Sequence, residues 1–379
     1  MKILLVGEYS RLHNSLKEGL TALGHEVTII GCGDYFKNFP VDIKLNRRYT
    51  SGLAKKWKVL LFKLFKIDLT SENIKKQFFQ HSEQLKGFDF VQLINESPLG
   101  IIPKFEKEVI SFLAKHNKNV FLLSCGADYT SVKYAFEKKF RYSILSPLFN
   151  GKVSKTAYNP ILKYLEPEYV SLHDFVFKNI SGVITSDIDY HIPMKGNPLY
   201  LGLIPNPVNT DKLEYIPVPV QDKVILFHGI NRSNYYKKGS DYFEEVLAML
   251  EKNHGDKVEI TTAENIPYAE YIELYNQAHI VLDQVLGMDQ GYNALEAMAK
   301  GKVVFTGAEK EFTEYYNLEK TVAINALPNV EAIYNELEHL VVNSLTIPEI
   351  AKNARAFIEK EHHYIEIAKK YLKVWESAK

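Results

Sequence analysis

The residues best suited to chemistry sit in one short stretch, FHGINRSNYYKKG (227–239). Arg232, Lys237 and Lys238 fall between Gly229 and Gly239, after the apolar run KVILF and before SDYFEEVLAML, whose apolar residues recur at helical spacing. A strand-to-helix loop with glycine at each end lets backbone amides come close to an anion, and the following helix adds unpaired N–H groups. Arg232 offers a planar fork for phosphate oxygens, a lysine a mobile point charge, and His228 stands at the loop's entrance. A second passage, DQGYNALEAMAKGKVVFTG (289–307), opens with Asp289, Gly291 and Tyr292 and carries Glu296 in its helix. Gly291 again permits an anion to approach a helix start, and a carboxylate such as Glu296 suits the paired hydroxyls of a ribose. Each feature has a plainer reading: solvated loop charges, and a first-turn acid favoured by the helix dipole. Together they describe a nucleoside-diphosphate site.

Such loops need strands to hold them, and the chain supplies an alternating pattern. KILLVG, HEVTIIG, FDFVQLIN, NVFLLSC and GVITS read as buried strands, with helical pieces such as LHNSLKEGLTALG and FEKEVISFLAKHN between them. Four prolines near IPNPVNTDKLEYIPVPVQDK mark an extended connector. The alternation then restarts with KVILFHG, KVEITT, HIVLDQV and KVVFTG, and the chain closes in helices. Strands alternating with crossover helices predict an α/β protein of two doubly wound parallel sheets, with ligands at the carboxyl ends of the strands.

Composition removes other classes. The 379 residues suffice for two ordinary domains, and Lys plus Arg balance Asp plus Glu at 46 each, so no net field draws the chain to nucleic acid. The only cysteines, Cys32 and Cys125, offer no metal spacing or disulfide framework, which fits a reducing cytosol. GEYSRL after the first strand lacks the Gly-x-Gly-x-x-Gly of a nicotinamide dehydrogenase, and no Gly-Lys-Ser/Thr phosphate loop occurs.

Three stretches carry a resemblance: IPNPVNTDKL (204–213), FHGINRSNYYKKG (227–239) and GYNALEAMAKGKVV (291–304). They resemble the Pro-Asn-Gly-Val-Asp, Arg…Lys-Gly and Glu-Ala-Met-Ala motifs of retaining glycosyltransferases of family 4 (glycosyl transferases group 1), of GT-B architecture. The resemblance covers residues 185–310 well and the first half in architecture only. It implies two facing Rossmann-like domains, an acceptor domain over 1–205 and a donor domain over 206–360, with a helix over 361–379 packing back on the first. It implies that Arg232 and Lys238, the lysine directly before Gly239, grip the donor diphosphate, that Glu296 holds the ribose, and that backbone near Asn265 and Ile266 meets the base. Gly291, Tyr292, Asp289, His228 and Gly229 fall in the same donor region, and Gly7 and Arg11 follow the first strand toward donor or acceptor.

The departures are specific. Position 288, where relatives carry a second glutamate, is Met, with Asp289 the nearest acid. SCGADYT (124–130) has Cys125 where relatives have a histidine and keeps Asp128, which reads either as a polar support for catalysis or as a helix cap. The implied reaction is retaining, needs no metal or other cofactor, and uses a UDP- or GDP-linked sugar as substrate; a leaving phosphate oxygen takes the acceptor's proton. SDIDYH (186–191) holds an Asp-x-Asp pair but reads as lying near the hinge, outside the donor loops.

SGLAKKWKVLLFKLFKI (51–67) forms a helix with Leu53, Trp57, Leu60, Leu61, Leu64 and Phe65 on one face and Lys55, Lys56, Lys58 and Phe62 toward the other. It reads either as packed on the first sheet or as docked on anionic lipid. The expectation is a glycosyltransferase of cell-surface polysaccharide type, cytoplasmic, with a nucleotide-sugar donor, a glycan or lipid-linked acceptor, and an anionic inner-membrane surface as a further partner. The alternatives are a non-catalytic nucleotide-sugar binder or a sugar-nucleotide epimerase of the same fold.

Overall fold

The computed structural model describes residues 1–34, 38–65, 67–264 and 266–378, apart from the side chains of 268 and 269. Seven parallel strands form the first sheet: β1 (Lys2–Val6), β2 (Glu26–Gly31), β3 (Ile43–Lys44), β4 (Phe90–Leu93), β5 (Asn119–Ser124), β6 (Gly182–Thr185) and β7 (Tyr200–Leu203). Their spatial order is β3-β2-β1-β4-β5-β6-β7. The second sheet has β8 (Val224–Ile230), β9 (Val258–Glu264), β10 (Ile280–Leu282), β11 (Val303–Thr306) and β12 (Ile324–Asn325) in the order β12-β11-β10-β8-β9. All pairings are parallel, as the continuous apolar strands require. The strand order reverses between β1 and β4 in the first sheet and between β8 and β10 in the second, so each sheet opens a crevice there.

The helices cover both faces. In the first half they are α1 (Leu12–Ala22), α2 (Gly52–Phe65), α3 (Leu69–Gln80), α4 (Pro103–His116), α5 (Tyr129–Phe136), α6 (Ser146–Phe149), α7 (Asn159–Leu162), α8 (Pro167–Lys178) and α9 (Ile188–Met194). In the second half come α10 (Tyr235–Lys238), α11 (Ser240–His254), α12 (Tyr268–Gln277), α13 (Tyr292–Ala299), α14 (Lys310–Tyr315), α15 (Val330–Val342), α16 (Ile347–Glu361) and α17 (Tyr364–Ser377).

The period-two alternation of β1 sorts its side chains onto the two faces. Leu4 and Val6 join Ile74, Phe78, Val109 and Leu172 on one side. Ile3 and Leu5 join Leu16, Phe121, Tyr371 and Trp375 on the other. The last two belong to α17, so the final helix crosses back and completes the first core. Val208 pairs with His363 in a parallel bridge, so outgoing connector and returning chain run side by side. Their bonds are Val208 N–H to His362 O at 2.7 Å and Tyr364 N–H to Val208 O at 3.1 Å.

α2 departs from this packing: none of its residues is buried. Leu53 is 75% exposed, Trp57 62% and Phe65 65%. Of the two readings of this helix, packing on the first sheet is therefore overturned, because its apolar face meets no core. Among the described residues no helix is long and apolar enough to cross a membrane.

Candidate active site

The carboxyl ends of both sheets meet across a cleft. Asp289, in the loop after β10, accepts the Ile188 N–H at 3.0 Å, and Asp189, after β6, accepts the Met288 N–H at 2.9 Å. Asp187, Asp189 and Asp289 bring carboxylate oxygens within 4.8 Å of one another. Burial pushes the Asp189 carboxyl up to about 6 and raises Asp187 and Asp289 well above the usual carboxylate range, with mutual repulsion adding. The Asp-x-Asp pair therefore does not lie outside the donor loops: β6 ends at the same edge, and Asp189 accepts a backbone N–H from one of them.

These carboxyls line an interdomain cavity together with Lys237, Tyr190 and Gln284. Its lining also includes the apolar Val132, Phe140, Ile144 and Leu145 from the α5–α6 region. Burial lowers the proton affinity of Lys237.

The other two loop cations are held by acids. Lys238 lies 2.7 Å from Asp283 Oδ1, which also accepts from Asn293 Nδ2 at 3.0 Å, and the Asp283 side chain is fully buried. Arg232 forms a bidentate pair with Glu264 at 2.9 and 2.7 Å and lies over the Tyr235 ring. Gly239 takes φ +73 between α10 and α11; a Cβ there would stand 2.6 Å from Val285 Cβ, so the turn that aims the lysines needs glycine.

Gly291 is the N-cap of α13 and carries no side chain over the helix start. Tyr292 follows it, its hydroxyl 2.6 Å from Ser15 Oγ of α1 and 3.0 Å from Pro207 O. Glu296 lies one turn further, partly buried; its charge adds to the burial that raises the Tyr292 phenol and opposes the burial that lowers the neighbouring Lys300 amine. His228 is buried at the end of β8, where burial lowers its proton affinity, and its Nε2 meets no partner. Gly229 backs onto Tyr271, Ile266 packs into the second core, and Asn265 lies outside the described residues.

On the facing sheet Gly7 adopts φ +88 beneath Ile94 and the Pro98 carbonyl. Arg11 turns along α1 to Glu18 at 3.5 Å, and Glu18 also receives Asn209 at 2.6 Å and Lys212 at 2.6 Å from the connector. Asp128 caps α5: one oxygen accepts Ser131 N–H at 2.7 Å, the other the Ser124 hydroxyl at 2.5 Å. Both oxygens are thus engaged, one in the cap and one by Ser124 at the end of β5. Burial raises the Cys125 thiol far above its ordinary range. Lys55 and Lys56 are exposed and Lys58 partly so, on α2 with Trp57 and Phe62.

Sequence reasoning passed over Asp283 and Glu8, and set Lys237 behind Lys238. The signal for Asp283 was its place at the carboxyl end of HIVLDQV, and for Glu8 its place directly after Gly7.

A chain with two parallel sheets, facing loops and a returning last helix has a known counterpart. The fold is that of the GT-B glycosyltransferases. Residues 232–373 match a family model described as glycosyl transferase-like. Among solved GT-B structures, this chain is similar to sucrose-phosphate synthase from Thermosynechococcus elongatus at 15% identity, with a TM-score of 0.61 over 100% of this chain and 98% of the other. It is similar to HepE of Anabaena, in complex with UDP and glucose, at 13% identity and TM-score 0.60 over 99% of each chain. WaaG, a glycosyltransferase involved in lipopolysaccharide biosynthesis, gives 16% identity and TM-score 0.55 over 99% of each chain. A comparison with curated proteins finds no match.

Proposed function

We propose that the protein is a metal-independent glycosyltransferase that moves a sugar, with retention, from a UDP- or GDP-linked donor to a glycan or lipid-linked acceptor. The observation that carries this reading is the second sheet's crevice. There the β8 loop with Arg232, Lys237 and Lys238 stands beside the β10 loop and the glycine-capped start of α13. That match of cations to helix amides suits a diphosphate, and Glu296 on the same helix suits a ribose. The family match over 232–373 and the complex of HepE with UDP and glucose support it.

In this reading the loop cations and α13 amides stabilise charge on the diphosphate as the bond from sugar C1 to phosphate oxygen breaks. The acceptor hydroxyl attacks C1 from the leaving-group face, and its proton passes to a phosphate oxygen. One feature favours the second reading, a nucleotide-sugar binder: Met288 is 2% exposed and packs in the core where relatives present a glutamate.

Of the two acceptor classes, α2 supports the lipid-linked one. Its exposed Leu53, Trp57 and Phe65 beside Lys55, Lys56 and Lys63 suit an anionic bilayer surface and support the reading of an enzyme working at the inner face of the plasma membrane.

The test is a thermal-shift panel of UDP, GDP, ADP, dTDP, CMP and NAD, followed by turnover of the sugar conjugates of any hit. A diphosphate that raises the melting temperature and whose sugar conjugate is turned over supports transfer. Binding without turnover selects the binder, and silence across the panel defeats both.

A further inference from the structure

Glu8 stands where β1 ends, at the point where the first sheet's strand order reverses. Its two carboxylate oxygens have unequal surroundings. Oε2 accepts the Asn14 backbone N–H at 2.8 Å and the Asn14 side-chain amide at 2.6 Å, closing the first turn of α1. Oε1 has no partner although the residue is only 2% exposed. A buried carboxylate oxygen left without a donor is costly, and a fold that keeps one reserves it for something.

The surroundings say what kind of group that is. Glu8 lines a small cavity with Tyr9 from its own loop, Cys32 and Asp34 from the loop after β2, Arg47 beyond β3, and Pro98 and Leu99 after β4. All follow the carboxyl ends of strands, on the edge that faces the donor loops. The loop that forms it is tightly specified: Ser10 and Arg11 both take positive φ, and Ser10 N–H is fixed to Asp34 Oδ2 at 2.9 Å. The cavity is small, with room for about one water-sized group. Arg47, which lines it, lies five residues before α2.

We propose that Glu8 Oε1 receives the hydrogen bond of the acceptor's attacking hydroxyl and so fixes that oxygen toward the donor sugar. This rests on the glycosyl-transfer reading and adds to it the acceptor-side contact. The proton still leaves for the diphosphate; Glu8 orients the O–H. Only the ionised carboxylate offers Oε1 as a pure acceptor. Burial holds the Glu8 carboxyl up at about 7, the negative charge of Asp34 acts in the same direction, and the Asn14 donors with the Arg11 backbone N–H oppose both. Cys32, Arg47 and Tyr9 face the same cavity, Arg11 lies at the start of α1, and Cys125 and Tyr292 stand close enough to feel the charge.

Glu8→Gln separates this role from helix capping. The Gln carbonyl can still accept from Asn14, whereas its amide then points a donor into the cavity where an acceptor stood. The assay measures nucleoside-diphosphate release from whichever nucleotide sugar hits in the panel above, with water and glycerol as acceptors. The expected result is an unchanged melting temperature, donor affinity within about twofold, and release at least about tenfold slower, about 1.4 kcal/mol. Wild-type release rises with pH through about 7, while Glu8→Gln is flat. Release by Glu8→Gln at the wild-type rate with the wild-type pH profile overturns the proposal. If the variant does not fold, the wild-type profile decides: a rate independent of pH between 6 and 8, with donor bound, also overturns it. A wild-type protein that neither binds nor turns over any nucleotide sugar removes the glycosyl-transfer reading, and this inference with it.

Discussion

Tyr292, the first residue of α13 in the second sheet's domain, sets its hydroxyl 2.6 Å from Ser15 Oγ in α1 of the first. One hydroxyl pair therefore fixes the helix start that would face a ligand's phosphates against the helix behind the β1 loop. The same Tyr292 hydroxyl reaches the Pro207 carbonyl in the connector at 3.0 Å. Tyr292→Phe is expected to cost about 1 kcal/mol, the usual worth of such a bond. Ser15→Ala combined with it should cost less than the sum of the two, because both variants remove the same contact. Urea unfolding of the four proteins checks this.

The lysines of α10 should separate in their effects. Lys238→Met leaves the buried Asp283 carboxylate without its cation, with Asn293 its remaining donor, and is expected to lose about 3 kcal/mol of stability as well as nucleotide affinity. Lys237→Met is expected to keep stability within about 0.5 kcal/mol and to weaken nucleoside-diphosphate binding about tenfold. Paired melting curves and calorimetric titrations distinguish them; equal losses of stability would contradict the arrangement around Asp283.

The interdomain carboxyls set a pH dependence. Asp189 and Asp289 hold protons more tightly in the folded chain than in the unfolded one, so the folded state binds more protons in the window between those values. Stability then falls as pH rises from about 4, the unfolded value, through about 6, where Asp189 titrates. Asp289→Asn keeps an acceptor for Ile188 N–H and removes one charge. Its melting temperature should exceed that of the parent at pH 8, with a shallower decline between pH 5 and 8. A steeper decline would mean that the cluster is not held in repulsion.

α2 can be tested apart from catalysis. Trp57→Glu with Leu53→Glu removes exposed apolar area without touching a core, so folding should be unchanged. Co-sedimentation with phosphatidylglycerol vesicles is expected to drop at least tenfold, and the parent's binding should weaken with added salt. Parent protein that stays in the supernatant with such vesicles would remove the membrane assignment.

Much of the scaffold was readable from local pattern. Runs such as KILLVG and NVFLLSC are buried on both faces, and parallel strands of that kind declare themselves without partners. β3 and β12, two residues each, do not, because their existence depends on neighbours already in place. The site was legible as loops and not as partnerships. Consecutive lysines on one helical turn point about 100° apart, and which of them faces the cavity is decided by Asp283, 45 positions further on. The sequence reading placed Asp187 and Asp189 away from the donor loops because nothing local to SDIDYH records that Met288 and Asp289 close on it. Nothing in GEYSRL singles out Glu8; only its burial, with one oxygen left unanswered, distinguishes it.

The bridge between Val208 and His363 has a mechanical consequence. Topologically, the second sheet's domain is an insertion into the first, hung on two backbone threads zipped together where they cross. Two threads bonded side by side resist sliding apart and resist shear, leaving rotation about their common line as the soft coordinate. A turn about that line carries the widest travel to the lip of the cleft and almost none to Val208. Spin labels across the lip should report that turn, and labels flanking Val208 should stay still.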